Sequence, residues 1–176
     1  MQANNMVLDA FEVRQRMFLY IQNVLESAHP VFSGLPICPF ARSSRLQKKI
    51  DCWVYRFTFG DCQLSSEVYS KIESFSRQST FDVLLVVHPQ PNAMSVAELN
   101  SFIALLSEQT DALGVTVFGG HPDDLFEVEG VRTRQDPFIN FTVQKTDKLA
   151  SARQMLRATA YYNFWSDDAR AAIGFE

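Results

Sequence analysis

At 176 residues the chain suits one domain spanning 1–176, and 47% hydrophobic with 12% aromatic content excludes a disordered chain. A formal net charge of -4 and a pI near 5.4 give no electrostatic footing for nucleic acid. No apolar run approaches the roughly 20 residues that span a bilayer, so no membrane partner is expected.

The start, MQANNMVLDAFEVRQRM, lacks a basic region followed by an unbroken apolar core, and so does not read as a secretory signal. With an odd number of cysteines, three, a thiol-reduced cytoplasmic protein is the expectation. Asn4 and Asn5 are candidate caps of a first helix. Val7, Leu8, Phe11, Phe18, Ile21, Val24 and Leu25 form its stripe, over about six turns, ending before His29-Pro30. The loop GLPICPFAR, Gly34 to Arg42, is apolar enough to lie on the core, and Ala41 to Lys49 carries Arg42, Arg45, Lys48 and Lys49.

Ile50 to Phe59 is β-branched and aromatic and reads as a strand, with Trp53, Tyr55, Phe57 and Phe59 on one face and Cys52, Val54, Arg56 and Thr58 on the other. Leu64, Val68, Ile72 and Phe75 mark a helix. Phe81 to Val87 is a continuous apolar run, expected of a strand covered on both faces and hence central and parallel. Ser95 with Glu98 makes a capping box ahead of the stripe Val96, Leu99, Ile103 and Leu106. Gly114 precedes a short strand, Val115 to Phe118, and a long loop runs from Gly119 to Pro137. Phe138 to Val143 alternates as a fourth strand. A helix follows from Asp147, and the aromatic tail to Glu176 predicts one more.

This alternation predicts an α/β fold: a single small, mostly parallel four-stranded sheet flanked by helices. The fourth strand is free to run antiparallel, because no helix precedes it.

All three histidines precede a proline, and His88 and His121 follow predicted strands directly. In a parallel sheet both then stand at the carboxyl edge, where ligands bind. The bland reading is a hydrogen-bonded loop residue; His29, after a helix, reads as a cap. Cys38 stands in CPFA with Arg42 and Arg45 nearby. A helical turn starting at Pro39 would lower its pKa, while the plainer reading is a small buried hydrophobe. Asp123, Asp124 and Glu127 are candidates to orient His121 or join a metal site. Arg132 and Arg134 suit a substrate carboxylate or phosphate, or else pair with Glu127, Glu129 or Asp136. No CxxC, GxGxxG, P-loop, HExxH or nucleophile elbow is present, so no nucleotide cofactor is expected.

The order GLPICPFAR, LLVVHP, HPDDLF and DPFINFTVQ resembles the bacterial domain-of-unknown-function family 1415, which shows a GLxLCPFA loop, an LLxHP strand end and a FHPxYxF loop. The matching positions are Cys38, Pro39, Phe40 and Ala41; His88 and Pro89; His121, Pro122 and Phe126; and Pro137. The family's arginine falls near Gln135, so Arg134 matches with a one-residue offset. The resemblance implies no activity; it implies that the three motifs belong together.

The expectation is therefore a small-molecule enzyme. Its catalytic residues would be Cys38, His88, His121 and Arg134, with Cys38, His88 and His121 holding a transition metal (Zn, Cu or Fe) and leaving an open position. The alternatives are a metal-free enzyme with Cys38 as nucleophile on an acidic small molecule, and a non-catalytic ligand-binding domain.

Overall fold

The computed structural model describes residues 8–171, so the caps expected at Asn4 and Asn5, stripe residue Val7 and the last five residues of the tail lie outside it. Helix α1, Ala10–Tyr20, starts at Asp9, whose side chain accepts from the Glu12 N–H at 2.8 Å. Its buried face is Val13, Met17 and Tyr20, while Phe11, expected on the stripe, is 71% exposed. The helix then widens into a π turn, Ile21–Leu25, in which the Glu26 N–H donates to the Ile21 carbonyl at 3.0 Å. The CPFA loop is tied to that turn by the Cys38 N–H donating to the Leu25 carbonyl at 2.9 Å. The tie is doubled where Arg45, on the short helix α2 (Ala41–Leu46), makes a two-point contact with Glu26 at 2.6 and 2.7 Å.

The main sheet contains β1 (Ile50–Val54), β2 (Val83–Val87), β3 (Val115–Gly120) and β6 (Asn140–Lys145), in the order β1-β2-β6-β3. Only β1 and β2 pair in parallel; β6 runs antiparallel between β2 and β3. The expected mostly parallel sheet is thus corrected to a mixed one. A strand covered on both faces need not have parallel neighbours, and β2 has one of each kind. The first strand also ends sooner than expected. Beyond Val54 a capping box of Thr58 and Asp61 turns the chain into the helical turn Phe59–Cys62.

The long loop contains a small hairpin, β4 (Glu127–Val128) and β5 (Val131–Arg132), turned at Glu129 and Gly130, both with positive φ.

One face of the sheet is covered by α3 (Glu67–Arg77) and α4 (Val96–Thr110). Leu84, Val86, Phe141, Val143, Val115 and Val117 point there. The Ser95–Glu98 capping box starts α4, and Gly114, in the left-handed region, ends the turn after it. The other face is covered by α1 over β1 and β2, where Leu85 and Val87 point. Beyond α1 that face carries Asn140, Thr142 and Gln144 of β6 and Phe118 of β3, and these line an open groove. Its far wall is α5, Thr146–Arg157, a helix with no buried residue. Phe32, Val128, Tyr161, Tyr162, Trp165 and Ala169 form a separate aromatic core at the end of the groove, with Ala169 contributed by the last helix, α6 (Asp167–Ala171). Among the described residues no helix is long and apolar enough to cross a membrane.

Candidate functional site

The three histidines do the same local work. In each, the Nδ1 of the imidazole accepts the N–H two residues on: Val31 to His29 at 3.2 Å, Gln90 to His88 at 3.1 Å, Asp123 to His121 at 3.0 Å. The proline between has no N–H and a fixed φ, so the turn is stiff. With Nδ1 accepting, a neutral His121 ring carries its proton on Nε2, whereas the His88 Nδ1 also stands 3.1 Å from the Gln90 carbonyl and is served by either tautomer. In His121 the Nε2 meets the Met94 carbonyl at 2.9 Å, which leaves no lone pair for a metal. His88 packs edge-on against Phe57, centroids 5.4 Å apart, and burial depresses its pKa.

His88 and His121 do share the expected sheet edge, but β6 lies between their strands, a separation of about 10 Å at two strand spacings. Both continue the alternation onto the α3/α4 face, beside Phe57 and Met94. Cys38 borders the groove on the opposite face. The sheet itself therefore separates the expected Cys38, His88 and His121 set. Among the described residues no group of three or more His, Cys, Asp or Glu side chains is placed to hold a metal ion.

The expected activation of Cys38 is also reversed. Burial pushes its thiol up, outweighing the N–H groups of Phe40 and Ala41 that pull it down, and Glu26 raises it further. The helix after it, α2, has only six residues.

What the structure does assemble is a cavity of about 560 Å³ on the α1 side. Asp136, Asn140, Tyr20, Arg134 and Cys38 all border it. Asn140 Nδ2 donates to Asp136 Oδ1 at 2.8 Å and to the Phe138 carbonyl at 3.0 Å. The Tyr20 hydroxyl donates to Asp136 Oδ2 at 3.4 Å and accepts from the Gln135 N–H at 3.3 Å. Gly120 is required beside them, since a Cβ there would stand 2.7 Å from both Asn140 Nδ2 and Asp136 Oδ1. Burial raises the Asp136 pKa to about 6, against the smaller pull of Asn140, Tyr20 and Arg134. Burial also raises the Tyr20 hydroxyl, with the Asp136 charge adding to it, so Tyr20 stays protonated.

Arg134 does not pair with Glu127, Glu129 or Asp136. Its guanidinium bonds Asp124 at 3.0 Å and lies 4.5 Å over the Phe126 ring, while Arg132 donates to the Asp124 backbone carbonyl. Asp124 is thereby a brace for the loop, and its other oxygen accepts from the Phe126 N–H at 2.8 Å. On the far side of Cys38, the Tyr161 hydroxyl donates to the Ile37 carbonyl. Cys38 lies within electrostatic reach of both Tyr20 and Tyr161, and so joins the polar end of the cavity to its aromatic end.

Tyr20, Asp136 and Asn140 were not singled out from the sequence. The signal open to reading was the alternation over Phe138 to Val143, which sets Asn140 on the face opposite Phe141, with Asp136 four residues before it. No family model matches the chain, and no curated protein or solved structure matches it either.

Proposed function

We propose that the protein is an enzyme acting on a small molecule held in the cavity on the α1 side of the sheet, with Asp136 exchanging the proton that the reaction moves. One observation carries this reading: a carboxyl group that burial holds at about 6 borders a cavity of about 560 Å³. A group of that acidity is populated in both forms near neutral pH, as a general acid–base requires. The volume falls in the range of small-molecule sites. Asn140 and Tyr20 fix the carboxyl from two sides, and Tyr20 is the last residue before a π turn, a feature concentrated at functional sites. Cys38 serves as a neutral wall, since its surroundings favour the thiol.

The resemblance to family 1415 touches this cavity through only one of its three motifs and part of another; His88, Pro89, His121, Pro122 and Pro137 do not line it. Cys38, Pro39, Phe40, Ala41 and Phe126, among its matching residues, line this cavity.

Incubation of the protein with a small-metabolite extract, read by mass spectrometry, tests the proposal. The wild type is expected to consume at least one component and Asp136→Asn none, with both folded by circular dichroism. An extract that the two proteins change equally, or that neither changes, overturns the assignment.

A further inference from the structure

Resting on that reading of the site, we infer that its ligand is an organic cation: a protonated amine carried on an apolar, ring-bearing body. Two independent features of the cavity support this.

The first is the carboxylate. Its two oxygens meet only neutral donors, Asn140 and Tyr20. Among the described residues no lysine or arginine forms an ion pair with Asp136. The nearest cation, Arg134, is committed to Asp124 and to the Phe126 ring. A partly buried carboxylate that bonds only neutral donors lacks an ionic partner, and an ammonium group arriving with the ligand supplies it.

The second is the wall. Tyr161, Tyr162, Trp165 and Phe32 line the cavity as one cluster. The Phe32 and Tyr161 rings are stacked 5.2 Å apart, and Tyr162 and Trp165 stand edge-to-face at 5.3 Å. Packed on one another, these rings give the cavity an apolar, aromatic end suited to the ring-bearing body of the ligand.

A carboxylate ligand meets the reverse: the Asp136 charge, with Arg134 held by Asp124. The other cations on the lining belong to α5; Lys148 is paired with Asp82, and Arg153 faces Tyr162.

Three ligands that differ only in the terminal group separate the possibilities: tryptamine, indole-3-ethanol and indole-3-propionate, titrated into the full chain by calorimetry and by protein NMR. Tryptamine is expected to bind about tenfold or more tighter than the other two, the increment of a charge-assisted hydrogen bond. It should shift the Gly120 amide and the Trp165 indole N–H resonances. Asp136→Asn should remove the preference for tryptamine over the alcohol.

A second readout needs no variant. The groups facing Asp136 are Tyr20 from α1, Asn140 from β6 and Arg134 from the segment after the hairpin. Asn140 carries no charge and burial raises the Tyr20 hydroxyl, so neither of the two side chains bonded to the carboxyl titrates in the acid range. Tryptamine affinity should then fall as pH drops through about 6, and that of the alcohol should stay flat. Equal or tighter binding of the propionate at the same resonances, or a flat pH profile for tryptamine, overturns the amine assignment and keeps the site. No binding by any of the three at millimolar concentration overturns the amine assignment and the site together.

Discussion

Replacing Asp136 by asparagine should make the protein more stable at neutral pH while removing its function. The carboxyl is raised from 3.8 to about 6, chiefly by burial. A raised acid favours folding in its protonated form. That contribution is fully present below pH 3.8 and is lost as pH rises through about 6. The gap corresponds to about 3 kcal/mol of penalty on the ionised native state, and the open side of the cavity lowers this toward about 1 kcal/mol. Asparagine removes the charge, and its Oδ1 can accept from Asn140 Nδ2. The Tyr20 O–H loses its acceptor, but it holds that bond only at 3.4 Å, a smaller loss than the charge penalty. The expected gain at pH 7.5 is therefore about 1–3 kcal/mol, or about 2–10 °C in Tm for a chain of this size. The gain should shrink toward zero near pH 4. Urea unfolding of both proteins at pH 4, 5, 6 and 7.5 measures it. A variant less stable than the wild type at pH 7.5 and equal to it at pH 4 would refute the reasoning, because it would mean that the carboxylate is an anchor satisfied in the native state.

Gly120→Ala places a methyl group 2.7 Å from Asp136 Oδ1 and Asn140 Nδ2, so it should cost about 1–3 kcal/mol in chemical denaturation and abolish ligand binding. Cys38, its thiol raised by burial, should alkylate with iodoacetamide at pH 7.5 more slowly than free cysteine; peptide mass spectrometry reads the rate. His121→Ala strands the Met94 carbonyl and the Asp123 N–H, and should cost about 2–4 kcal/mol in urea unfolding while ligand affinity holds. Glu26→Gln breaks the two-point contact with Arg45, which holds Glu26 below the usual carboxylate range. It should cost about 1–3 kcal/mol at pH 7, an effect that fades as pH falls below 4.5. Amide exchange at Cys38 should speed up with it.

Local signals in the chain were legible wherever they concern a residue and its neighbours three or four positions away. Ser95 and Glu98 specify the start of α4, Val68, Ile72 and Phe75 the buried stripe of α3, and the run before His88 a strand covered on both sides, whereas Leu64, expected on the α3 stripe, precedes the helix and is exposed. The alternation from Ile50 also sorts Trp53, Tyr55 and Phe57 from Cys52 and Val54 correctly. Periodicity says nothing about direction or order, and so could not show that β6 enters between β2 and β3. That insertion is what moves His88 and His121 apart. The His-Pro pairs looked chemical because they repeat, yet the repeat is a turn in which the ring caps the next free N–H. Asp136 was visible only as a charge near arginines. Its depth comes from Tyr20, 116 residues away, and from Asn140, whose polar neighbours Thr142 and Gln144 lie along the groove.

The insertion of β6 also sets the order in which the sheet can be completed. In the main sheet β3 pairs only with β6, and β2 presents one edge to it. When Gly120 leaves the ribosome, both native partners of the β1–β2 pair are in the emerged chain, whereas the only main-sheet partner of β3 is not. The 25 residues to Lys145 take on the order of seconds to synthesise. During that interval Val115 and Val117, which end in the core, are held only by α4 and their own connections. The last strand to arrive closes both gaps at once and carries Asn140 to Asp136. Closure of the sheet and assembly of the polar end of the cavity thus depend on the same last strand.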